Sequence, residues 1–259
     1  MLNERTLLKL PYHCKLYTVY PPSINEVVET EKFAIYKKLL TTSQEDIEDY
    51  FVEQREHGDL NAVLANPTTE EIIPTPFENL LIQAYNSEEL KQYIQEAFLF
   101  FIHESVTFLF DQQLILIGDM NQMLRGAKSI KDLRFLSANN FLEFQNDIRM
   151  YGLGKKTLEP PNPDEPKKLR QMKAKMRLRD KIKAKKGGGL DLAASILSIC
   201  CMNLGLSLLT IGEISYAAVP HLINYYQEKT KYETDIQSIL HGADSKKVNP
   251  VSWIRNIDN

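Results

Sequence analysis

The side chains that could do chemistry are few and scattered. The five histidines are His13, His57, His103, His221 and His241, and no two stand at the spacing of a metal-ligand pair. Acid–base catalysis needs a positioned partner for such a group, and none is readable nearby. The three cysteines are Cys14, Cys200 and Cys201. The adjacent pair lies in an apolar run, where core packing is expected, and the set implies a reducing compartment. Gly187-Gly188-Gly189 lacks both the preceding strand and the Gly-Lys-Ser/Thr ending of a phosphate loop, so it reads as a flexible joint. The carboxylate pairs Glu45-Asp46 and Glu48-Asp49 fall on an acidic helix, where solvation is the expected role. No Ser/His/Asp or Cys/His grouping stands out. The expectation is a protein without catalytic residues, metal or cofactor.

Charge is distributed more tellingly than its total. The 259 residues sum to −3, yet Lys167–Lys186 holds 11 Lys/Arg against one acid, Asp180. The remainder keeps 20 of the 31 basic and 33 of the 34 acidic residues, leaving a body near −13. A basic segment on an acidic body points to self-contact, an acidic protein partner or an anionic polymer. Without interleaved aromatics, single-stranded nucleic acid is the weakest of the three. Lys, Arg, Ala, Met and Leu favour a helix here. At 100° per residue, Leu169, Met172 and Met176 share one face while Leu178 and Ile182 face the other way. Such a helix is either mostly solvated or clamped between two partners.

Next comes Leu192–Gly212, 21 residues with no charged side chain. That length can cross a bilayer, and the basic flank would orient it. Ser195, Ser198, Asn203, Ser207 and Thr210 would, however, cover half the circumference of a single helix. Gly205 is a natural stop, and Thr210-Ile-Gly-Glu213 reads as a capping box. The expected parse is a helix over 191–204, a turn, and a second helix from Ile211 that bends at Pro220. Its continuation carries Leu222, Tyr225, Tyr226, Ile236, Ile239 and Leu240 among charges. A membrane anchor is the minor reading, and the start of the chain lacks the apolar core of a signal peptide.

The elements upstream follow from local signals. Lys15–Tyr20 alternates as a strand. Ser23-Ile-Asn-Glu26 is a capping box opening a helix over 24–29, and Phe33–Leu40 is a short amphipathic segment. Ser43 opens a helix to about Gln54, followed by a loop over Gly58–Ile73 with a helical turn near Leu60–Leu64. Thr75-Pro76-Phe77-Glu78 combines a Thr cap, Pro at the first helical position and Glu at the third. Ser87 caps the next helix, Glu88–His103. Val106–Phe110 and Gln113–Ile117 read as a β-hairpin turning at Asp111-Gln112. Ser129–Asp132 is a capped turn. Ser137–Met150 is a helix with Phe141, Phe144, Ile148 and Met150 on one side and Gly152 as its terminal cap. The Pro/Gly-rich stretch up to Pro166 is the expected linker.

The C-terminal stretch Leu209–Asp258 begins Leu-Thr-Ile, continues as a helix with paired tyrosines, then steps through Gly-Ala-Asp and Lys-Lys to Trp253-Ile-Arg-Asn256. It resembles the tail assembly chaperones encoded in the structural gene clusters of tailed bacteriophages. Phe100–Asp119 is similar in the same sense. The two segments cover a quarter to a third of the chain. The resemblance implies a protein that binds the tape measure protein, shields its apolar helices and lets tube subunits polymerise around it. It points to the arm residues Lys173, Lys175, Arg177 and Arg179 and to the aromatic residues Tyr216, Tyr225 and Tyr226 as partner contacts. Family chaperones are shorter and helical, so the hairpin and the first strand leave open a structural neck or tail protein of the virion.

Taken together, the expectation is a mainly helical α+β fold in three parts. Residues 1–151 form an α+β domain with a β-hairpin, 152–189 a linker and basic helix, and 190–259 a helical domain. The expected partners are phage tail proteins, tape measure or tube, or a second copy of the chain; nucleic acid and membrane rank lower. The expected location is the host cytoplasm, or the virion for a structural component.

Overall fold

A computed structural model describes residues 5, 8–56, 73–118, 133–160, 162, 165, 167–186, 192–202, 207, 210–244, 248 and 250. The fold is α+β and mainly helical. Two short strands, β1 (Tyr12–His13) and β2 (Thr18–Val19), pair antiparallel. The expected strand over 15–20 thus contracts to its last residues, because Lys15 and Leu16 form the turn back to β1. Helices α1 (Ile24–Glu29), α2 (Phe33–Thr41) and α3 (Gln44–Glu56) follow. Then come α4 (Pro76–Asn86) and α5 (Glu88–Ile102). The expected turns near 60–64 and 129–132 lie outside the described residues.

The helix starts rest on the anticipated caps. Ser23 and Glu26 close a reciprocal box at α1, and Thr75 and Glu78 close another at α4 with Pro76 at the first position. Each such cap is worth about 1 kcal/mol, because it satisfies amides that the first turn leaves open. Ser87 caps α5, and His103 ends it in the left-handed region.

Helix α5 is the core element. Ile94, Ala97, Phe98 and Phe101 are fully buried, packed between α2, α4 and the second sheet. That sheet has the order β3 (Val106–Leu109), β4 (Leu114–Ile117), β5 (Phe135–Leu136), all antiparallel. Val106 faces Ile117 and Leu109 faces Leu114. The hairpin reverses through a 3₁₀ turn over Phe110–Gln112, with Gln113 held at φ 51°. That conformation supplies the reversal that a Gly or Asn would otherwise give.

Helix α6 (Phe141–Asp147) closes the core, with Phe144 stacked on Phe98 at 5.0 Å. The expected single helix over 137–150 instead starts at Phe141 and runs on as one π turn, Ile148–Gly152. Positive φ falls at Gly154, not Gly152. Gly152 and Leu153 are buried in the same core, so the stretch expected as a linker begins inside it.

The basic helix α7 (Lys167–Lys186) packs on α3. Beyond it, α8 (Leu192–Cys201) has 10 residues, and no helix among the described residues is long and apolar enough to cross a membrane. The expected helix from Ile211 is absent. Two 3₁₀ turns, Ile211–Glu213 and Tyr216–Ala218, precede α9 (Val219–Leu240), which has Pro220 in its first turn. Proline suits that position and would break a helix begun at Ile211. Thr210 caps no helix, and its hydroxyl instead accepts from the Ser207 amide at 3.0 Å.

Two segments far apart in the sequence meet here. Ser23 and Ser215 form an isolated antiparallel bridge, and the Tyr216 amide donates to the Pro22 carbonyl at 2.8 Å. Ile24 of α1 sits in a second small cluster with Ile199, Met202, Ile211 and Val219.

Candidate functional site

The basic helix does not stand alone in solvent. Ala174 is 1% exposed, and its small side chain lets α7 approach α3 closely. On the same face, Arg177 reaches three carboxylates of α3. Its Nε donates to Asp49 Oδ1 at 3.0 Å and its Nη1 to Glu45 Oε1 at 3.1 Å, while Nη2 lies 3.6 Å from Glu48 Oε2. Lys173 pairs with Glu165, and Arg170 donates to the Asn162 carbonyl at 2.7 Å. Asp49 is only 3% exposed, so the carboxylates expected to be solvated are in part covered by the helix that neutralises them. Glu48 is pushed above its ordinary pKa by burial, against the pull of Arg177 and Arg170.

Lys175 and Arg179 are exposed. Met172 and Met176 are exposed on the same side of α7, and Leu169 less so. Of the tyrosines, Tyr216 packs edge-on against Phe33 at 5.1 Å, and burial raises its hydroxyl pKa. Tyr226 packs on the small C-terminal cluster, and Tyr225 is 40% exposed. The seven residues singled out from the sequence therefore do not converge. Arg177, Lys173 and Tyr216 make contacts within the chain, and Lys175, Arg179 and Tyr225 are exposed.

Between α3, the start of α4, α6, residues 157–160 and α7 lies a cleft of about 680 Å³. Phe77, Phe141 and Leu142 line it with apolar surface. Gln145, 1% exposed, also lines it. Its Nε2 donates to the carbonyls of Thr42 at 2.9 Å and Leu40 at 3.3 Å. Its Oε1 is buried without a partner, a state that costs about 1–3 kcal/mol. Reading the sequence missed this residue. The available signal was phase: Gln145 follows Phe141 by four positions, on the buried side of α6.

Among the described residues, no group of three His, Cys, Asp or Glu side chains could hold a metal ion. Cys14 is pushed well above the usual thiol range, first by burial and then by Asp147 beside it, which disfavours the nucleophilic thiolate.

The C-terminal helix is the other feature left open. Val219 is its only buried residue, and Leu222, Ile223 and Tyr226 complete its contact with the small cluster. From Gln227 onward no side chain of α9 belongs to either core cluster, and Leu240 is 79% exposed. No family model matches this chain, and neither curated proteins nor solved structures give a match.

Proposed function

We propose that this chain is a non-enzymatic assembly protein of tailed bacteriophages that docks a helical tail protein, the tape measure protein, on the distal half of α9. The observation that carries this reading is the helix itself. It runs for 22 residues, and among the described residues no side chain from Gln227 onward belongs to a core cluster. A lone helical segment is marginal in water, and helices in proteins draw their stability from packing an apolar face. Leu222, Tyr225, Lys229, Tyr232, Ile236 and Ile239 recur at alternating steps of three and four. That is the seam by which one helix packs along another, and helix-in-groove docking needs little more than such a face with charged rims. The exposed cation Arg179 would add a second, electrostatic contact.

The test is photo-crosslinking from position 240 in cells that produce the particles, with Leu197, also exposed, as the control position. One dominant adduct with the tape measure protein from position 240, absent from 197, is expected. An adduct with the chain itself, or equal labelling from both positions, would remove the proposal.

A further inference from the structure

Positive charge also gathers away from α7. Lys37 stands on α2, and Arg149, Lys155 and Lys156 lie on the chain that leaves α6, whose π turn packs on α2 and on the turn Tyr216–Ala218. The hook carrying the last three is stapled in place. The Lys155 amide donates to the Arg149 carbonyl at 2.7 Å, and Arg149 Nε donates to the Lys156 carbonyl at 3.0 Å. Asn146 Nδ2 donates to the Leu158 carbonyl at 3.2 Å, and its Oδ1 accepts from the Leu158 amide at 2.5 Å. Gly154 sits at φ 61°, and a Cβ there would lie 2.0 Å from the Ala217 carbonyl oxygen, so the hook closes on that turn only with glycine. Lys37 reaches the same place from α2. Its Nζ lies 5.8 Å from the centre of the Phe33 ring, which meets Tyr216 edge-on.

These cations have no counter-charge of their own. Among the described residues none of the four is in an ion pair. With Nε committed to Lys156, the two Nη nitrogens of Arg149 make no hydrogen bond among those residues, and neither is fully buried. Lys155 and Lys156 are exposed, and Lys37 and Arg149 are half-buried, so a solute can reach the group. Partial covering of the Lys155 amine, then Lys37 and Arg149 beside it, hold its pKa below the usual lysine range. Burial lowers that of Arg149 as well. The acid that opposes both shifts is Asp46, whose carboxylate already accepts from the Ser43 amide and hydroxyl.

We propose that this patch binds a compact diphosphate group, free as inorganic pyrophosphate or carried by a nucleotide. The open Nη edge of Arg149 suits a two-pronged grip on one phosphate, and Lys37 and Lys155 act as point charges beside it. A long polyanion is disfavoured, because it would run on over the acidic body, whereas a compact anion stays within the screening distance of the patch.

The experiment is calorimetric titration of the full chain with inorganic pyrophosphate, ADP, sulfate and a single-stranded oligonucleotide at matched ionic strength. Saturable binding of pyrophosphate with a dissociation constant of about 0.1 mM is expected, with sulfate about tenfold weaker. ADP binding as tightly as pyrophosphate assigns the nucleotide as the source of the group, and weaker ADP binding assigns the inorganic ion. Lys37→Gln and Lys155→Gln should each weaken pyrophosphate about fivefold. Lys175→Gln, on α7, should leave it unchanged. Unaltered melting curves of the ligand-free variants check the fold. No saturation below about 10 mM, sulfate binding as tightly as pyrophosphate, an equal loss in Lys175→Gln, or tighter binding of the oligonucleotide would overturn the proposal.

Discussion

Arg177 shows how one side chain decides what a charged segment does. Its guanidinium fork spans Asp49 and Glu45 with two hydrogen bonds, and Asp49 is almost fully covered. Removing the cation leaves a buried carboxylate without its counter-charge, which is the costly half of breaking such a pair. Arg177→Met should therefore destabilise the protein by about 2–3 kcal/mol in urea unfolding. Arg179→Met, on the exposed side, should change stability by less than about 0.5 kcal/mol. Glu26 provides a pH signature. Burial alone would raise its pKa, but Lys9 at 2.8 Å and the Ser23 amide and hydroxyl outweigh that and hold it at about 2, below its ordinary 4.5. A depressed carboxylate stabilises the fold above its unfolded value and loses that contribution as pH falls through the folded one. The box at α1 should thus weaken between about pH 4.5 and 2. Acid unfolding of Glu26→Gln should lack that segment of the slope, while Glu29→Gln keeps it. Half of the Glu26 side chain is in solvent, so salt should reduce the effect.

At the scale of elements, what was legible in the sequence was local chemistry. The boxes at Ser23 and Thr75 and the cap at Ser87 needed only neighbours three residues apart, and all three form. The hairpin was readable from its alternating apolar residues, although its reversal depends on a strained Gln113 that no residue type announces. Failures came where tertiary contact overrode the local pattern. Thr210-Ile-Gly-Glu213 has a box's residues, but Pro220 and the bridge from Ser215 to Ser23 hold the chain in two tight turns instead. The carboxylates of α3 look solvated until α7 is laid over them. Gln145 is an ordinary polar residue in sequence, and its tie from α6 to the end of α2 shows only once the carbonyls of Leu40 and Thr42 are brought beside it.

The molecule is a mainly helical, acidic protein in which one face of the basic helix is covered by α3, and in which the second half of α9 belongs to no core cluster among the described residues. These two helices differ in how far their role is settled within the chain. α7 meets acids of α3 through Arg177, and its own Ala174 admits close approach, so that face is engaged within the chain. Among the described residues, α9 joins a core cluster only through its first two turns, and the proposed docking uses the rest of its seam. The proposed transient assembly role asks for such a helix, because a seam that binds and releases must be stable enough to present. The most direct measurement is quantitative mass spectrometry of this chain in a lysate of particle-producing cells, beside the purified particles. Abundance in the lysate and absence from the particles is the predicted result. A fixed copy number in every particle would contradict it and make the chain a structural component of the virion.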